Sequence, residues 1–382
     1  MTSSDVLIAG AGIGGLTTAL ALHARGIPAT VLEGARDLRP LGVGINLLPH
    51  AVRELAALGL GEQLSALAVA PTSLAYFDSR GRELFREPRG TEGGYDYPQY
   101  SVHRGDLQLL LLNAARERLG AGGVRTGSRV TGFVDDGDAV RVRLGEDELA
   151  GSVLVGADGI HSAVRTQLHP GGDELRWSGV RMWRGAAPGE PYLDGRTMAI
   201  VKADDGIELV IYRIGSGLIN WVLLVPEAPP GPLPGTARWN QRCDADQVLA
   251  YLDGWKVGWL DVVDLVGRTA DPLEYPMVDR DPLPWWGRGR VTLLGDAAHP
   301  MYPVGANGGS QAILDARALA ESLAAHPDTG LRVYEERRRE PTAAVVAANR
   351  EMHRSGANLQ SDNLARVAAA YRRDTGADRA RV

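Results

Sequence analysis

The stretch that most constrains this chain is its opening one, Asp5-Val-Leu-Ile-Ala-Gly-Ala-Gly-Ile-Gly-Gly-Leu16, because such a run leaves the backbone few choices. Val6–Ala9 are apolar and short enough to form a buried strand. Gly10, Gly12 and Gly15 then make a Gly-x-Gly-x-x-Gly turn, and Ile13 to Arg25 reads as a helix stopped by Gly26. In such a turn Gly10 permits the tight bend, Gly12 lets a pyrophosphate approach the backbone, and Gly15 lets helix and strand pack closely. Phosphate oxygens then meet free N–H groups at the positive end of the helix dipole. A second apolar strand, Ala29–Leu32, delivers Glu33, whose carboxylate can accept both ribose hydroxyls of an adenosine. A glycine turn alone is a weak signal. Strand, turn, helix, strand and acid in that order predict a dinucleotide site.

Which dinucleotide, and for what chemistry, depends on the remainder. With 382 residues, 44% of them hydrophobic, the chain can build a sizeable core and two domains. A net charge of −6 argues against a nucleic-acid partner, since phosphate backbones are held by basic surfaces. Only Lys202 and Lys256 are lysines, so a catalytic lysine has few places to sit. Cys243 is the only cysteine, which removes intrachain disulfides, Cys-x-x-Cys redox pairs and thiolate metal sites; no metal is expected. The first apolar run is broken by glycines and has no basic lead. It reads as neither signal peptide nor membrane span, and a soluble cytoplasmic protein is expected.

Beyond Glu33, a Pro-bounded loop carries Gly42-Val-Gly44, a pair that suggests another close backbone approach to something flat. Helical spacing follows at His50 to Leu58 and at Gly61 to Val69. From Pro71 the texture changes: Leu74 to Phe85 reads as a hairpin turning at Asp78 to Gly81, and Gly90 to Pro98 as a loop. A long helix is predicted from Ser101 to Leu119, with Arg104 near its start, in reach of a pyrophosphate or else of a surface ion pair with Asp106. Short strands are expected from Val124 to Leu144, then Val153 to Val155 running into Gly156-Ala-Asp158-Gly159 and a new helix. A carboxylate at the carboxyl end of a parallel strand lies where such sheets bind ligands.

From Trp177 to Pro276 the pattern is largely β, with Thr197–Lys202, Ile207 to Ile214 and Leu218 to Val225 joined by tight turns into an antiparallel sheet. Pro226 to Pro234 reads as a connector and Asp244 as the cap of a helix through Asp253. Parallel texture returns at Arg290 to Pro300, followed by the loop Met301 to Ser310 and a helix from about Gly309 to Ala325. A charged helix from Leu331 to Arg354 contains Pro341, which is expected to kink it; its Glu335-Glu-Arg-Arg-Arg-Glu340 run reads as a solvated face. The residues from Asp374 onward read as a frayed end.

Three glycine-acid segments therefore punctuate the chain: the opening turn, Gly156-Ala-Asp158-Gly159, and Gly295-Asp296-Ala-Ala-His299-Pro300 with Gly305-x-Asn307-Gly308. In that order they resemble, over nearly the whole chain, the class A (single-component) flavoprotein aromatic monooxygenases of the para-hydroxybenzoate and salicylate hydroxylase group. Arg39-Pro-Leu-Gly-Val-Gly-Ile-Asn46, Tyr97-Pro-Gln-Tyr-Ser-Val-His-Arg104, Tyr275-Pro-Met-Val-Asp-Arg-Asp-Pro-Leu-Pro284 and Trp286-Gly-Arg-Gly-Arg290 are most similar to the phenazine-modifying monooxygenases of pyocyanin biosynthesis. The resemblance implies an α/β fold of the para-hydroxybenzoate hydroxylase kind. A Rossmann-like, GR2-type FAD-binding domain would comprise 1–70, 101–176 and 277–355, with an inserted antiparallel β-sheet substrate domain of 71–100 and 177–276 and a C-terminal helix and tail, 356–382. It further implies FAD as cofactor, NADH or NADPH as transient reductant, and molecular oxygen and a small aromatic or heteroaromatic molecule as substrates. The expected reaction is hydroxylation through a flavin C4a-hydroperoxide, in secondary metabolism, of a phenazine-like or related polycycle, with or without loss of a carboxyl group. A monomer or homodimer without nucleic-acid or membrane partners is expected.

Residue by residue, the resemblance implies that Gly10, Gly12, Ile13, Gly14, Gly15 and Glu33 hold the ADP half of FAD, with Val130 also in contact. Arg104 matches a pyrophosphate-contacting arginine, and Asp158 with Gly159 matches a turn that meets both FAD and NAD(P)H. Gly295 and Asp296 match the turn whose acid accepts a ribitol hydroxyl; Gly305, Ala306, Asn307 and Gly308 match the loop at the pyrimidine edge of the flavin. Gly44 and Ile45 match backbone on the other side of the ring. One part has independent physical support: a reduced flavin is negative around N1 and O2, and a helix beginning after Asn307 offers N–H donors and partial positive charge there.

No side chain is singled out as catalytic, because the cofactor carries the chemistry. The pocket candidates are Tyr212 and, by period-two alternation, Val210, with Leu209, Ile211 and Arg213 on the opposite face of the same strand. Tyr212 also reads as a core aromatic with a satisfied hydroxyl. Pro303 is expected to shape the pocket wall, and Arg184 or Arg213 to supply a partner for a substrate carboxylate. His299 reads as a structural residue beside the cofactor.

Other readings leave more unexplained. Gly308-Gly-Ser310-Gln-Ala312 approaches a hydrolase nucleophile elbow, but Pro300, Pro303 and Gly305 separate it from the preceding strand. An NAD-dependent dehydrogenase without flavin leaves Gly295-Asp296 without a role. A flavin-dependent halogenase lacks its early lysine and its Trp-x-Trp-x-Ile-Pro segment, and a dithiol reductase is excluded by the single cysteine. Epoxidation or Baeyer–Villiger oxygenation of a polyketide is the alternative chemistry for the same cofactor.

Overall fold

A computed structural model describes residues 5–39, 42–171, 174–235 and 241–355, together with 366, 368–370 and 372. The frayed end expected from Asp374, and most of the expected C-terminal helix and tail (356–382), lie outside the described residues.

Alternating apolar strands and helices favour a parallel sheet covered on both faces. Five parallel strands form it, in the order 291–293, 153–156, 6–9, 29–32, 124–125. Val6–Ala9 lie at its centre and are buried throughout. The helix Ile13–His23 packs against the sheet, the helix Arg104–Leu119 and the helix Asn307–Ala325, so its apolar residues are not confined to one stripe. Register then decides what this sheet can do. Ala9 pairs with Leu32 on one side and Gly156 on the other, and Gly156 pairs with Leu293. Four strands therefore end at one level, and the glycine turn, Glu33, the Ala157-Asp158 turn and Gly295 leave from the same edge.

A nine-stranded sheet forms the second layer, ordered 241–242, 273–279, 176–188, 218–226, 208–214, 197–202, 73–78, 83–88, with 231–232 paired to 176–188. The strand Arg176–Pro188, not picked out from the sequence, is its hub and pairs on both sides. The sheet is antiparallel as expected, except that Thr197–Lys202 runs parallel to Ser73–Asp78. The chain leaves this sheet after Pro88 and returns only at Arg176, and so long a crossover permits a parallel neighbour. Leu273–Asp279 also belongs to this sheet, so the boundary expected between 276 and 277 falls inside a strand.

One face of the large sheet carries Trp183, Leu209, Ile211, Trp221 and Leu223, buried beneath Val248, Leu252, Leu265 and Val266 of short helical segments. The other face carries Leu74, Met198, Tyr212 and Ile214 and turns towards the dinucleotide unit. Between the two layers lies a ribbon of two strands, Gly44–Leu47 and Tyr100–His103. Ser101, Val102 and His103 were expected to open the following helix. They form a strand instead, because the buried backbone of Gly44–Leu47 needs hydrogen-bonding partners, and the helix starts at Arg104. Pro341 lies inside the helix Gly330–Ser355, as expected. No helix among the described residues is long and apolar enough to cross a membrane.

Candidate active site

The three glycines of the opening turn answer to different constraints. Gly10 has φ 102°, and a Cβ there would lie 2.6 Å from the carbonyl oxygen of Ala157. A Cβ on Gly15 would lie 2.0 Å from the Gly10 oxygen, so the helix sits directly on the turn. Gly12 differs: its φ of −73° suits any residue, and a Cβ there would meet no protein atom within 4 Å. Nothing in the protein requires glycine at that position, whereas a pyrophosphate lying on the backbone does. Gly14 packs against Leu294 and Ala312, which ties the turn to the late segment of the chain, and Ile13 is buried.

Glu33 holds this turn in shape. Its Oε2 accepts the Ala11 N–H at 2.8 Å and its Oε1 the Ala35 N–H at 2.7 Å, while Gln108 donates to the Ala11 carbonyl at 2.7 Å. Each carboxylate oxygen keeps a further lone pair for a ribose hydroxyl. Arg104 is exposed at the start of its helix and, among the described residues, has no ion-pair partner; Asp106 faces His103 instead. Val130 is buried in the core of the same unit.

Asp158 is turned inward on its own chain. It accepts from the Ser162 hydroxyl and, through Oδ2, from the N–H groups of Ala163 at 2.8 Å and Val164 at 3.3 Å, capping the helix that follows. Its burial raises its carboxyl pKa, against the pull of these hydrogen bonds. Gly159 beside it has φ 78°.

Gly295 and Asp296 follow the last parallel strand. Asp296 is exposed, and its pKa is raised: desolvation is the main cause, helped by Asp315 and opposed by the charges of His299 and Arg104. From Gly305 the chain turns through Ala306, at φ 62°, into the helix Asn307–Ala325. That helix and Ile13–His23 share a property: neither has a side-chain cap nor an acid in its first turn. Two helix N-termini are thus left with donors and partial positive charge. A Cβ on Gly308 would meet only Asp296, at 3.9 Å, while one on Gly309 would lie 2.9 Å from Ile45. The late loop and the Gly44-Ile45 backbone are therefore neighbours.

Gly44 is gripped from the large sheet. Its N–H donates to Asn220 Oδ1 at 2.6 Å, and its carbonyl accepts from Arg184 Nη2 at 3.0 Å. A Cβ on it would lie 2.7 Å from Tyr212 and 2.8 Å from Asn220. Tyr212 is only 4% exposed, a core residue as the alternative reading had it. Burial pushes its hydroxyl up, against the pull of the Arg184 guanidinium that hydrogen-bonds it. Arg184, Val222, Val210 and Ile200 lie side by side across four central strands on this face, and all four stay partly exposed. They make a row of partly exposed, mainly apolar side chains on the sheet face that meets Gly44, with one cation at its end. Tyr275 is half-buried nearby, its hydroxyl raised by burial and lowered by Arg184 and Arg104.

The remaining candidates divide. Arg213 lies on the far face, where it donates to the Gly195 carbonyl at 3.3 Å, so alternation removes it from the face that meets Gly44. Pro303 is exposed before the late loop. His299 is buried and bonded through Nε2 to Asp315 at 2.6 Å. Arg338 departs from the solvated face expected of its helix: it turns inward and donates to Asp315 at 2.6 Å. Asn220 and Asp315 escaped the sequence reading. The signal was present in both, a polar residue inside an otherwise apolar strand and an acid on the buried stripe of a helix.

The family described as FAD binding domain matches residues 3–183 and 282–349. The chain is 53% identical over 367 residues to phenazine 1,6-dicarboxylic acid hydroxylase PhzS of Lysobacter antibioticus, covering 92% of this chain and 90% of that one. It is 35% identical to 3-hydroxybenzoate 6-hydroxylase 1 of Aquipseudomonas alcaligenes, over 91% and 88% of the two chains. The structure of Klebsiella pneumoniae HpxO complexed with FAD and uric acid aligns with a TM-score of 0.82 and 26% identity, over 99% of this chain and 95% of that one. The expected α/β fold is thereby borne out, and the residues present fit FAD: no protein atom would meet a Cβ on Gly12, and two helices begin uncapped. The chain belongs to the FAD binding domain family and is a class A flavoprotein aromatic monooxygenase, an FAD-dependent enzyme.

Proposed function

We propose that this enzyme hydroxylates an anionic, planar heteroaromatic of the phenazine type, using NAD(P)H and dioxygen. The observation that carries this reading is the row on the sheet face beside Gly44: Val222, Val210 and Ile200 in register, with Arg184 at one end. Neighbouring strands lie roughly 4.8 Å apart, so the four positions span about 14 Å, room for a fused-ring system with a carboxylate at the Arg184 end. The relative named as a phenazine dicarboxylic acid hydroxylase supports the same substrate class.

When bound and reduced by NAD(P)H, FAD activates dioxygen and delivers one oxygen atom to an electron-rich ring. The chain's own residues hold and orient. Gly10, Gly12, Ile13, Gly14, Gly15 and Glu33 take the ADP half, Arg104 the pyrophosphate, and Asp296 the ribitol. Gly305, Ala306, Asn307 and Gly308 present the positive helix end to the pyrimidine edge, and Gly44 with Ile45 lies along the ring from the other side. The apolar row excludes water from the reacting atoms. Asp158 and Gly159 shape the neighbouring turn. The large sheet serves as the substrate unit, and the enzyme works in the cytoplasm, where its reductant is supplied, as a monomer or homodimer.

Turnover with phenazine carboxylates under labelled dioxygen tests the reading. The expected product carries one labelled oxygen atom, and NAD(P)H consumption rises with the substrate. If phenazine, quinoline and hydroxybenzoate carboxylates all leave NAD(P)H consumption at its basal rate while a polyketide raises it, the aromatic reading is wrong.

A further inference from the structure

One helix carries three buried polar residues at intervals of four: Asn307, Gln311 and Asp315. Residues so spaced stack on one face. Asp315 is fully buried, and three donors converge on it: the Gly295 N–H at 3.2 Å, His299 Nε2 at 2.6 Å and Arg338 Nε at 2.6 Å. The same guanidinium donates through Nη2 to Gln311 Oε1 at 2.6 Å. Gln311 then donates to Asn307 Oδ1 at 3.4 Å, and Asn307 to the Gly305 carbonyl at 3.3 Å. A continuous hydrogen-bonded line therefore runs from Gly295, in one loop, to Gly305, in another.

We infer that Arg338, Asp315 and Gln311 are positioning residues for the isoalloxazine end of FAD, fixing the spacing of the Gly295 and Gly305–Gly308 loops and the orientation of Asn307. The inference rests on the reading that these two loops hold the flavin. Stability alone does not account for the arrangement, because a buried ion pair contributes little that apolar side chains of the same volume would not. A charged network supplies direction instead. The planar guanidinium offers donors in a fixed fork, so it locks two acceptors of one helix at a set distance. The helix N-terminus positioned in this way offers donors and partial positive charge, which a reduced, negative flavin would meet.

The test uses the protein reconstituted with FAD. Gln311→Met cuts the line to Asn307 and leaves the Asp315–Arg338 pair intact. Arg338→Lys keeps the cation and loses the fork. In both, FAD is expected to bind about tenfold more weakly, the loss of roughly one hydrogen bond, and the bound flavin is expected to show a lower midpoint potential and an altered visible spectrum. Melting of the apoprotein should fall little in Arg338→Lys. Wild-type affinity, potential and spectrum in both variants, with only the melting temperature reduced, would overturn the inference. Failure of both variants to fold would overturn it as well, since positioning predicts a folded protein with a changed flavin. If the wild-type protein binds no FAD, the failure belongs to the flavin-site reading and is seen before any variant is made.

Discussion

Gly10 and Gly12 lie two residues apart in one motif and are glycines for different reasons. Gly12→Val is expected to leave apoprotein melting within a degree or two, because its backbone angle is ordinary and no protein atom lies within 4 Å of a new Cβ. FAD affinity, followed by flavin fluorescence, should fall by about a hundredfold or more as the side chain occupies the pyrophosphate position. Gly10→Ala should instead destabilise the apoprotein itself, since φ 102° and a contact of 2.6 Å to Ala157 leave the new methyl no room. Asp315 makes a prediction about pH. The charges of His299 and Arg338, with their hydrogen bonds, outweigh its desolvation and hold its pKa at about 2, below the usual 3.8. A depressed carboxylate stabilises the fold above its unfolded pKa, and that contribution is lost as pH falls through its folded pKa. Wild-type apoprotein should therefore lose about 2 kcal/mol of stability between about pH 4 and pH 2. Asp315→Asn should show a correspondingly shallower acid limb in urea unfolding at a series of pH values.

At the scale of elements, the helix Asn307–Ala325 does two tasks that compete. Its N-terminus is uncapped, as the proposed flavin site requires, and Ala306 just before it occupies a left-handed conformation that costs a non-glycine residue about 1 kcal/mol. Ala306→Gly should relieve that strain and raise apoprotein stability by up to about 1 kcal/mol in urea unfolding, offset in part by the entropy of glycine. A midpoint lowered by the whole entropic cost of glycine, about 0.5–1 kcal/mol, would show that the conformation carries no strain. The ribbon of Gly44–Leu47 and Tyr100–His103 is the other element on which the site turns. Its second strand looked helical from sequence because Leu107 to Leu112 continue straight into an apolar helix. The pairing that stops the helix at Arg104 comes from residues more than fifty positions earlier, so no local pattern announces it.

Across the whole molecule, function depends on how the dinucleotide unit meets the large sheet, and Gly44 is one point of contact. Gly44→Ala would place a methyl 2.7 Å from Tyr212 and 2.8 Å from Asn220, so it is expected to cost about 1–3 kcal/mol and weaken FAD retention; unchanged unfolding and flavin content would remove Gly44 from the contact. Arg184→Met should raise KM for a carboxylated polycycle roughly thirtyfold, the worth of one charge-assisted hydrogen bond of about 2 kcal/mol, and affect an uncharged analogue far less. Equal losses for both would mean that Arg184 acts only through Gly44. What was legible in the chain by itself was local: the strand-turn-helix at Gly10 to Gly15, Glu33 at a strand tip, and the alternation that puts Val210 and Tyr212 on one face. Those features rest on contacts between residues close in sequence, or on a periodicity that any short window reveals. The tertiary structure alone decided that Arg184 and not Arg213 lies on the face that meets Gly44, that Tyr212 is core, that Asn220 accepts from the Gly44 N–H and that Arg338 donates to Asp315. The strand residues depend on order and register between segments far apart in the chain, where a one-residue slip would exchange their faces, and Asp315 and Arg338 on the packing of two helices.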